Sequence, residues 1–267
     1  MQRRVELAVT LFADIAQLEA EGRPFVLCTV TAVQGSTPQK PGSRLVVLGD
    51  GSLRGTIGGG AIEKQVIEAA LALFADASAE TKTLDTHLTH ELGMCCGGKM
   101  SVFLEKHGAP ATLVVFGAGH VAKELAALAH HVGFRVTVVD ERAEWLTAER
   151  FPNAERKLEP PDDVAKALSG GDTTYCCVTT HDHPLDQACT EALVKKPLAY
   201  LGVIGSERKA LKFRSRMEAA GFTKDEVARF ESPMGVEINA LTPAEIAVSI
   251  VARLVSVRRS RPVKSSD

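Results

Sequence analysis

The sequence predicts an α/β protein in two parts: a Rossmann-like, doubly wound parallel sheet of order 3-2-1-4-5 over residues 111–260, preceded by a smaller α+β domain over residues 1–107. Three observations carry that expectation. Leu113 to Arg142 reads as strand, glycine turn, helix and strand, with an acid closing the second strand. Beyond it, short apolar runs alternate with helical patterns, as the crossovers of a parallel sheet demand. Before it the strands come in pairs around polar turns, and the connection EKHGAPA (105–111), with its glycine and proline, separates the two regimes.

In the amino-terminal part, Val5 to Glu21 has the spacing of an amphipathic helix and Phe25 to Val33 that of a strand, with Cys28 as core packing. Gly35 to Arg44 is a loop in which Lys40, Ser43 and Arg44 set cations and a hydroxyl beside glycine backbone; turn chemistry and an anion site both fit it. Leu45–Leu48 and Leu53–Ile57 bracket Gly49-Asp50-Gly51, a hairpin signal. The second of these strands runs into Gly58-Gly59-Gly60 and a helix from Ala61 to Phe74. Three glycines at a helix start are costly in chain entropy, and close approach of a ligand or another backbone would explain them. Glu63 falls in the first turn, where its charge suits the helix dipole. Thr81–Leu88 and Met100–Leu104 read as strands flanking Glu91 to Lys99. There Cys95 and Cys96 stand among three glycines with Lys99 close by, either as small residues at a strand entry or as favoured thiolates able to ligate a soft metal.

In the second part, Thr112–Phe116 is short, apolar and β-branched, the mark of a strand covered on both faces. Gly117-x-Gly119-x-x-Ala122 follows: the first glycine permits the tight turn, the second lets a pyrophosphate approach the backbone, and the alanine lets helix and strand pack closely. The helix amino end offers free N–H groups to an anion. After Gly133 and the strand Phe134–Val139 comes Asp140, 21 positions past Gly119, where an acid accepts hydrogen bonds from ribose hydroxyls. A short helix is expected over Trp145–Phe151, a third strand over Ala154–Leu158, a helix over Pro160–Leu168 and a fourth strand over Thr173–Val178. That strand ends in Thr179-Thr180-His181-Asp182-His183 at the carboxyl edge of the sheet, where His181 and His183 are better placed as a polar crevice wall than as metal ligands lacking a third partner. Then come a helix over Asp186–Val194, a fifth strand over Leu198–Ile204 and a basic helix over Glu207–Ala219. Ser206 caps this helix and Arg208 lies in its first turn; a basic helix is ordinarily a solvated face, and the alternative is that these two meet a phosphate entering the same crevice, with Lys209 assisting. Thr242 and Glu245 form a capping box before a helix over Pro243–Val257.

Composition narrows the partners. A net charge of −2 and 5% aromatic residues make neither a nucleic-acid surface nor an anionic membrane an expected partner. No apolar run approaches the roughly 20 residues of a membrane helix, and no secretory core is visible, so a cytoplasmic location is expected. The six cysteines include no C-x-x-C pair, which argues against structural zinc.

The motifs GSTPQKPGSRLVV, GTIGGGAIE, GMCCGG, FGAGHVA, VVDERAEW, TTHDHPLDQA, YLGVIGSERK and TPAEIAVSIVA occur in this order over nearly the whole chain. In them the sequence resembles the XdhC/CoxI family, accessory proteins of xanthine dehydrogenase and related molybdenum hydroxylases. The resemblance implies a chaperone without turnover of its own. Such a protein binds molybdenum cofactor, as molybdopterin or its cytosine dinucleotide, protects it while a cysteine desulfurase installs the terminal sulfur, and delivers it to an apo-xanthine dehydrogenase or related enzyme. Carried onto matching positions, it makes Cys95 or Cys96 the metal ligand and Gly58, Gly59 and Gly60 part of the cradle for the pterin-metal end. Gly117, Gly119, His120, Asp140, His181, Ser206 and Arg208 then serve as further cofactor-binding candidates. The chain carries GVEINA from Gly235 where the family pattern is closer to GLDIGA, so Asn239 stands in a glycine position. The same crevice also suits NAD(P), which leaves an oxidoreductase or a nucleotide-sensing module as alternatives; a homodimer is the expected assembly.

Overall fold

The structure is a computed structural model, and it describes residues 2–76, 79–88 and 98–260. Cys95 and Cys96 therefore lie outside the described residues. The chain divides into two compact units, one reaching Ala109 and the other beginning at Pro110.

The first unit contains α1 (Gln2–Glu21), β1 (Phe25–Gln34), β2 (Arg44–Leu48), β3 (Leu53–Gly55), α2 (Gly60–Ala75), β4 (Thr81–His87) and β5 (Lys99–His107). Its sheet has the order β3-β2-β1-β5-β4 with every neighbour antiparallel. Strand alternation divides the core. Val26, Cys28, Val30, Leu45 and Val47 meet Ile62, Val66, Ala70 and Leu73 of α2, whereas Phe25, Val46 and Leu48 meet Leu11 and Leu18 of α1. Both faces are thus covered, which is why β2 reads as an unbroken apolar run. Cys28 is fully buried, and that burial pushes its thiol up to about 12, the state of a packing residue.

The second unit contains β6 (Thr112–Phe116), α3 (His120–His131), β7 (Arg135–Val139), β8 (Glu155–Lys157), α4 (Pro161–Ala167), β9 (Gly171–Val178), α5 (His183–Leu193), β10 (Leu198–Val203), α6 (Glu207–Ala219), α7 (Lys224–Ala228) and α8 (Pro243–Arg259). All strand pairs are parallel and the order is β10-β9-β6-β7-β8, the doubly wound arrangement 3-2-1-4-5 that the sequence implies. Helices α3 and α8 cover one face over Leu113, Val115, Val136 and Val138. Helices α4, α5 and α6 cover the other over Val114, Phe116, Val178 and Val203. The vicinal Cys176 and Cys177 on β9 point to opposite faces, fully buried, and desolvation raises both thiols far out of the reactive range.

Two local features depart from expectation. Trp145–Phe151 forms turns rather than a helix. Single-turn bonds from Trp145 and Leu146 N–H to the Arg142 carbonyl start it, but the Trp145 carbonyl accepts from Arg150 Nε, and the Arg150 N–H donates to Thr147 Oγ1. The short helix α7 is an addition to the expected elements, although its capping box, Thr223 with Glu226, is written in the sequence. Asn239 has φ +55°, so the position that favours glycine is filled by the residue type that best tolerates the left-handed region.

Candidate functional site

Five loops of the second unit leave or flank the carboxyl edge of its sheet. Gly117 has φ +108°, and a Cβ there would lie 2.5 Å from the Thr179 carbonyl oxygen and 2.8 Å from Thr180 Cα. Glycine is required because the loop after β6 crosses the loop after β9 backbone to backbone. Gly119 differs: its φ is −66°, and an added Cβ would meet nothing within 4 Å. That open backbone, at the amino end of α3, is where a pyrophosphate or phosphate can approach. Ala122 is fully buried beneath it, as close helix–strand packing requires.

Asp140 is 1% exposed and holds this loop in place. Its Oδ2 accepts from the Ala118 N–H at 2.7 Å and from Arg142 Nη2 at 2.8 Å. Its Oδ1 accepts from the Arg142 N–H and Nε, both at 2.9 Å. Burial alone would raise this carboxyl, but the Arg142 side chain and backbone, the Ala118 N–H and the Arg142 charge outweigh it and hold the group below the usual carboxylate range. A depressed folded-state value means stability that is present above the unfolded value of about 3.9 and lost as pH falls through the folded one. Urea unfolding between about pH 6 and pH 3 is therefore expected to show a steeper acid loss in the wild type than in Asp140→Asn; parallel curves would refute the linkage.

Three residues to which sequence reasoning gives no site role complete this corner. Trp145 has two guanidiniums over its ring, Arg142 Cζ 5.2 Å and Arg150 Cζ 4.9 Å from the centroid, and His120 meets the ring edge-on at 5.3 Å. Arg150 Nη2 donates to the Ala118 carbonyl at 2.9 Å. The motif VVDERAEW contains two of these residues, but their convergence on the glycine loop depends on the turns that replace the expected helix.

On the other side of the crevice, Asp186 is 1% exposed and receives Lys209 Nζ at 2.5 Å, the Thr180 N–H at 3.0 Å and Thr180 Oγ1 at 2.7 Å. Lys209 also donates to the Ile204 carbonyl at 2.8 Å. This pair ties the loop after β9 to the start of α6. It fixes the segments that carry His181, Ser206 and Arg208, all three of which are exposed. Ser206 caps α6 by accepting from the Lys209 N–H. Lys209 is thus a positioning residue in the structure rather than an exposed phosphate contact.

In the first unit, Gly58, Gly59 and Gly60 have φ of +121°, +72° and +67°. Glu63 organises them: its Oε2 accepts from Thr56 Oγ1 at 2.6 Å and from the Ile57 and Gly59 N–H groups at 3.1 Å each. A Cβ on Gly58 would lie 2.6 Å from Pro38 Cβ, and one on Gly98 2.6 Å from the Gln34 carbonyl oxygen. The loop after β1 therefore packs against the glycine loop through Pro38 and against Gly98 through Ser36 and Thr37. Gly59 has open space where a Cβ would be, so part of its backbone is accessible.

At the carboxyl edge of the second sheet, the open Gly119 backbone, the amino end of α3 and the guanidinium of Arg150 stand together. Among the described residues no group of three or more His, Cys, Asp and Glu side chains could hold a metal ion. No described helix is long and apolar enough to cross a membrane.

Comparison with known proteins agrees with this division. Residues 113–254 match the XdhC Rossmann domain, and residues 18–85 match the XdhC and CoxI family. The uncharacterized protein YqeB of Escherichia coli (strain K12) is 33% identical over 95% of this chain and 47% of its own length. A protein of Bacillus subtilis (strain 168) named as a probable xanthine dehydrogenase component is 31% identical over 60% of this chain and 46% of its own. The chain thus spans about half the length of these two relatives. The molybdenum cofactor insertion chaperone PaoD of E. coli K12 is 24% identical over 89% of this chain and 84% of its own. A crystal structure described as a xanthine dehydrogenase from Bacillus halodurans shares the fold, with a TM-score of 0.52 and 23% identity over 94% of this chain and 97% of that one.

Proposed function

The chain belongs to the XdhC and CoxI family, and from that premise we propose that it is an accessory chaperone that binds molybdenum cofactor as cargo, shields it during sulfuration and delivers it to a xanthine dehydrogenase or related molybdenum hydroxylase. The observation that carries this reading is the open backbone of Gly119 at the amino end of α3, with Arg150 on the Ala118 carbonyl and Arg142 on Asp140 beside the same loop. Cys95 and Cys96 are proposed as metal ligands, and Gly58 to Gly60 as part of the cradle for the pterin-metal end. When bound, the cargo brings its own metal chemistry. The chain's residues hold the phosphate end, keep the glycine loops open and supply a thiolate, with no turnover on the protein. The proposed partners are the apo-enzyme and a cysteine desulfurase, and the proposed assembly is a homodimer.

The nucleotide fold itself favours a second reading, an NAD(P)-dependent oxidoreductase or nucleotide sensor. Purification from cells making molybdenum cofactor, followed by assay of bound molybdenum and pterin, separates the two. The wild type is expected to carry both, and Cys95→Ala or Cys96→Ala to lose molybdenum roughly tenfold, a difference of about 1.4 kcal/mol. Equal loading of all three proteins removes the thiol role. NAD(P) without pterin rejects the carrier.

A further inference from the structure

Asp140 stands where an acid of this fold receives the hydroxyls of a ribose, yet its carboxylate is already full. Each oxygen accepts two hydrogen bonds, at 2.7 to 2.9 Å, from Arg142 and the Ala118 N–H. A carboxylate has about four lone-pair sites, so none remains for a ribose diol. Docking one would displace a bidentate guanidinium, among the strongest pairs a protein makes. What the end of β7 offers instead is the guanidinium itself. Arg142 commits Nε and Nη2 to Asp140, leaving Nη1 uncommitted to that carboxylate, and it lies against Trp145 with Arg150 on the same ring.

From this saturated carboxylate and the guanidinium it holds, we infer that the crevice selects ligands ending in a phosphomonoester over ligands presenting a bare ribose diol, with Arg142 as the residue that determines the choice. The inference rests on the reading of this crevice as the phosphate-bearing site and deepens it. The 2′-phosphate of NADP and the terminal phosphate of molybdopterin share the required chemistry; NAD and the cytosine dinucleotide form present the diol instead. For the carrier, the undecorated molybdopterin is then the preferred cargo.

Trp145 is the sole tryptophan of the chain and touches Arg142, so its fluorescence reports on the site. The whole chain is titrated with NADP and NAD, and in equilibrium dialysis with molybdopterin and the same pterin after phosphatase treatment. Members of each pair differ only by the phosphomonoester. The phosphorylated member of at least one pair is expected to bind about tenfold tighter or better. Arg142→Ala should bring the two members together, and Arg142→Lys, which keeps the charge and loses the fork, should fall between. If the alanine variant does not fold, the lysine variant and the wild-type pairs decide. Equal affinities within both pairs overturn the inference while pterin binding leaves the carrier standing. Selectivity for NADP without pterin binding keeps the inference and rejects the carrier. Failure of all four probes to bind rejects both.

Discussion

Lys209→Met is expected to destabilise the second unit by about 3–5 kcal/mol, because it leaves the Asp186 carboxylate buried without its cation. Asp186 is 1% exposed and the Lys209 side chain 11%, and the remaining basic group, His183 Nδ1, stands 3.9 Å away on a 75% exposed side chain, too far to take the place of the short lysine contact. For a unit of this size each kcal/mol moves the midpoint by about 2–4 °C, which makes a fall of roughly 10 °C the expected reading. Trp145 lies in this unit, so its fluorescence follows the right transition even if the first unit melts separately. The double variant Asp186→Leu/Lys209→Met should recover part of the loss, since no charge then remains buried. A single-variant effect below about 1 kcal/mol would mean that the pair behaves as a solvated one and does not tie the two crevice loops together.

Gly117→Ala carries the second large effect. The residue sits at φ +108°, and its new methyl would press on the Thr179 carbonyl at 2.5 Å, an overlap that only backbone movement relieves. Strain and overpacking together are expected to cost about 3 kcal/mol or more, and displacement of the loop should abolish measurable binding of a phosphorylated ligand. Gly119→Ala is the control. Its backbone is at φ −66° with free space around the added atom, so stability should stay within about 0.5 kcal/mol while binding weakens, because the methyl occupies the approach to the loop. If both variants lose stability equally, the two glycines do not have the separate duties assigned to them. If Gly119→Ala binds as the wild type does, the phosphate does not approach there.

The candidate site is legible in the sequence only in part, and particular residues say why. Gly117, Gly119 and Ala122 declare themselves by spacing, since each answers to local backbone geometry. Asp140 does so by its distance from them, but what occupies its oxygens is not readable there, because Arg142 reaches back onto it only once the chain turns at Glu141. Trp145 and Arg150 fall inside an expected helix, which would send their side chains along a helix face. Turns direct both onto the glycine loop. Lys209 sits in a conspicuously basic helix, and nothing local distinguishes the one lysine that reaches a buried acid 23 positions earlier from its solvated neighbours.

The sequence by itself determined the alternation of strands and helices, the parallel order of the second sheet, the helix caps at Ser206 and Thr242 and the glycine-lined turns, because periodicity, caps and turn chemistry act over a few residues. Tertiary structure alone decided which distant groups meet: Asp140 with the Ala118 N–H, and Asp186 with Lys209. Such pairings follow from where distant loops are carried by the sheet, and burial then makes each one obligatory, since a charge withdrawn from water must find a partner.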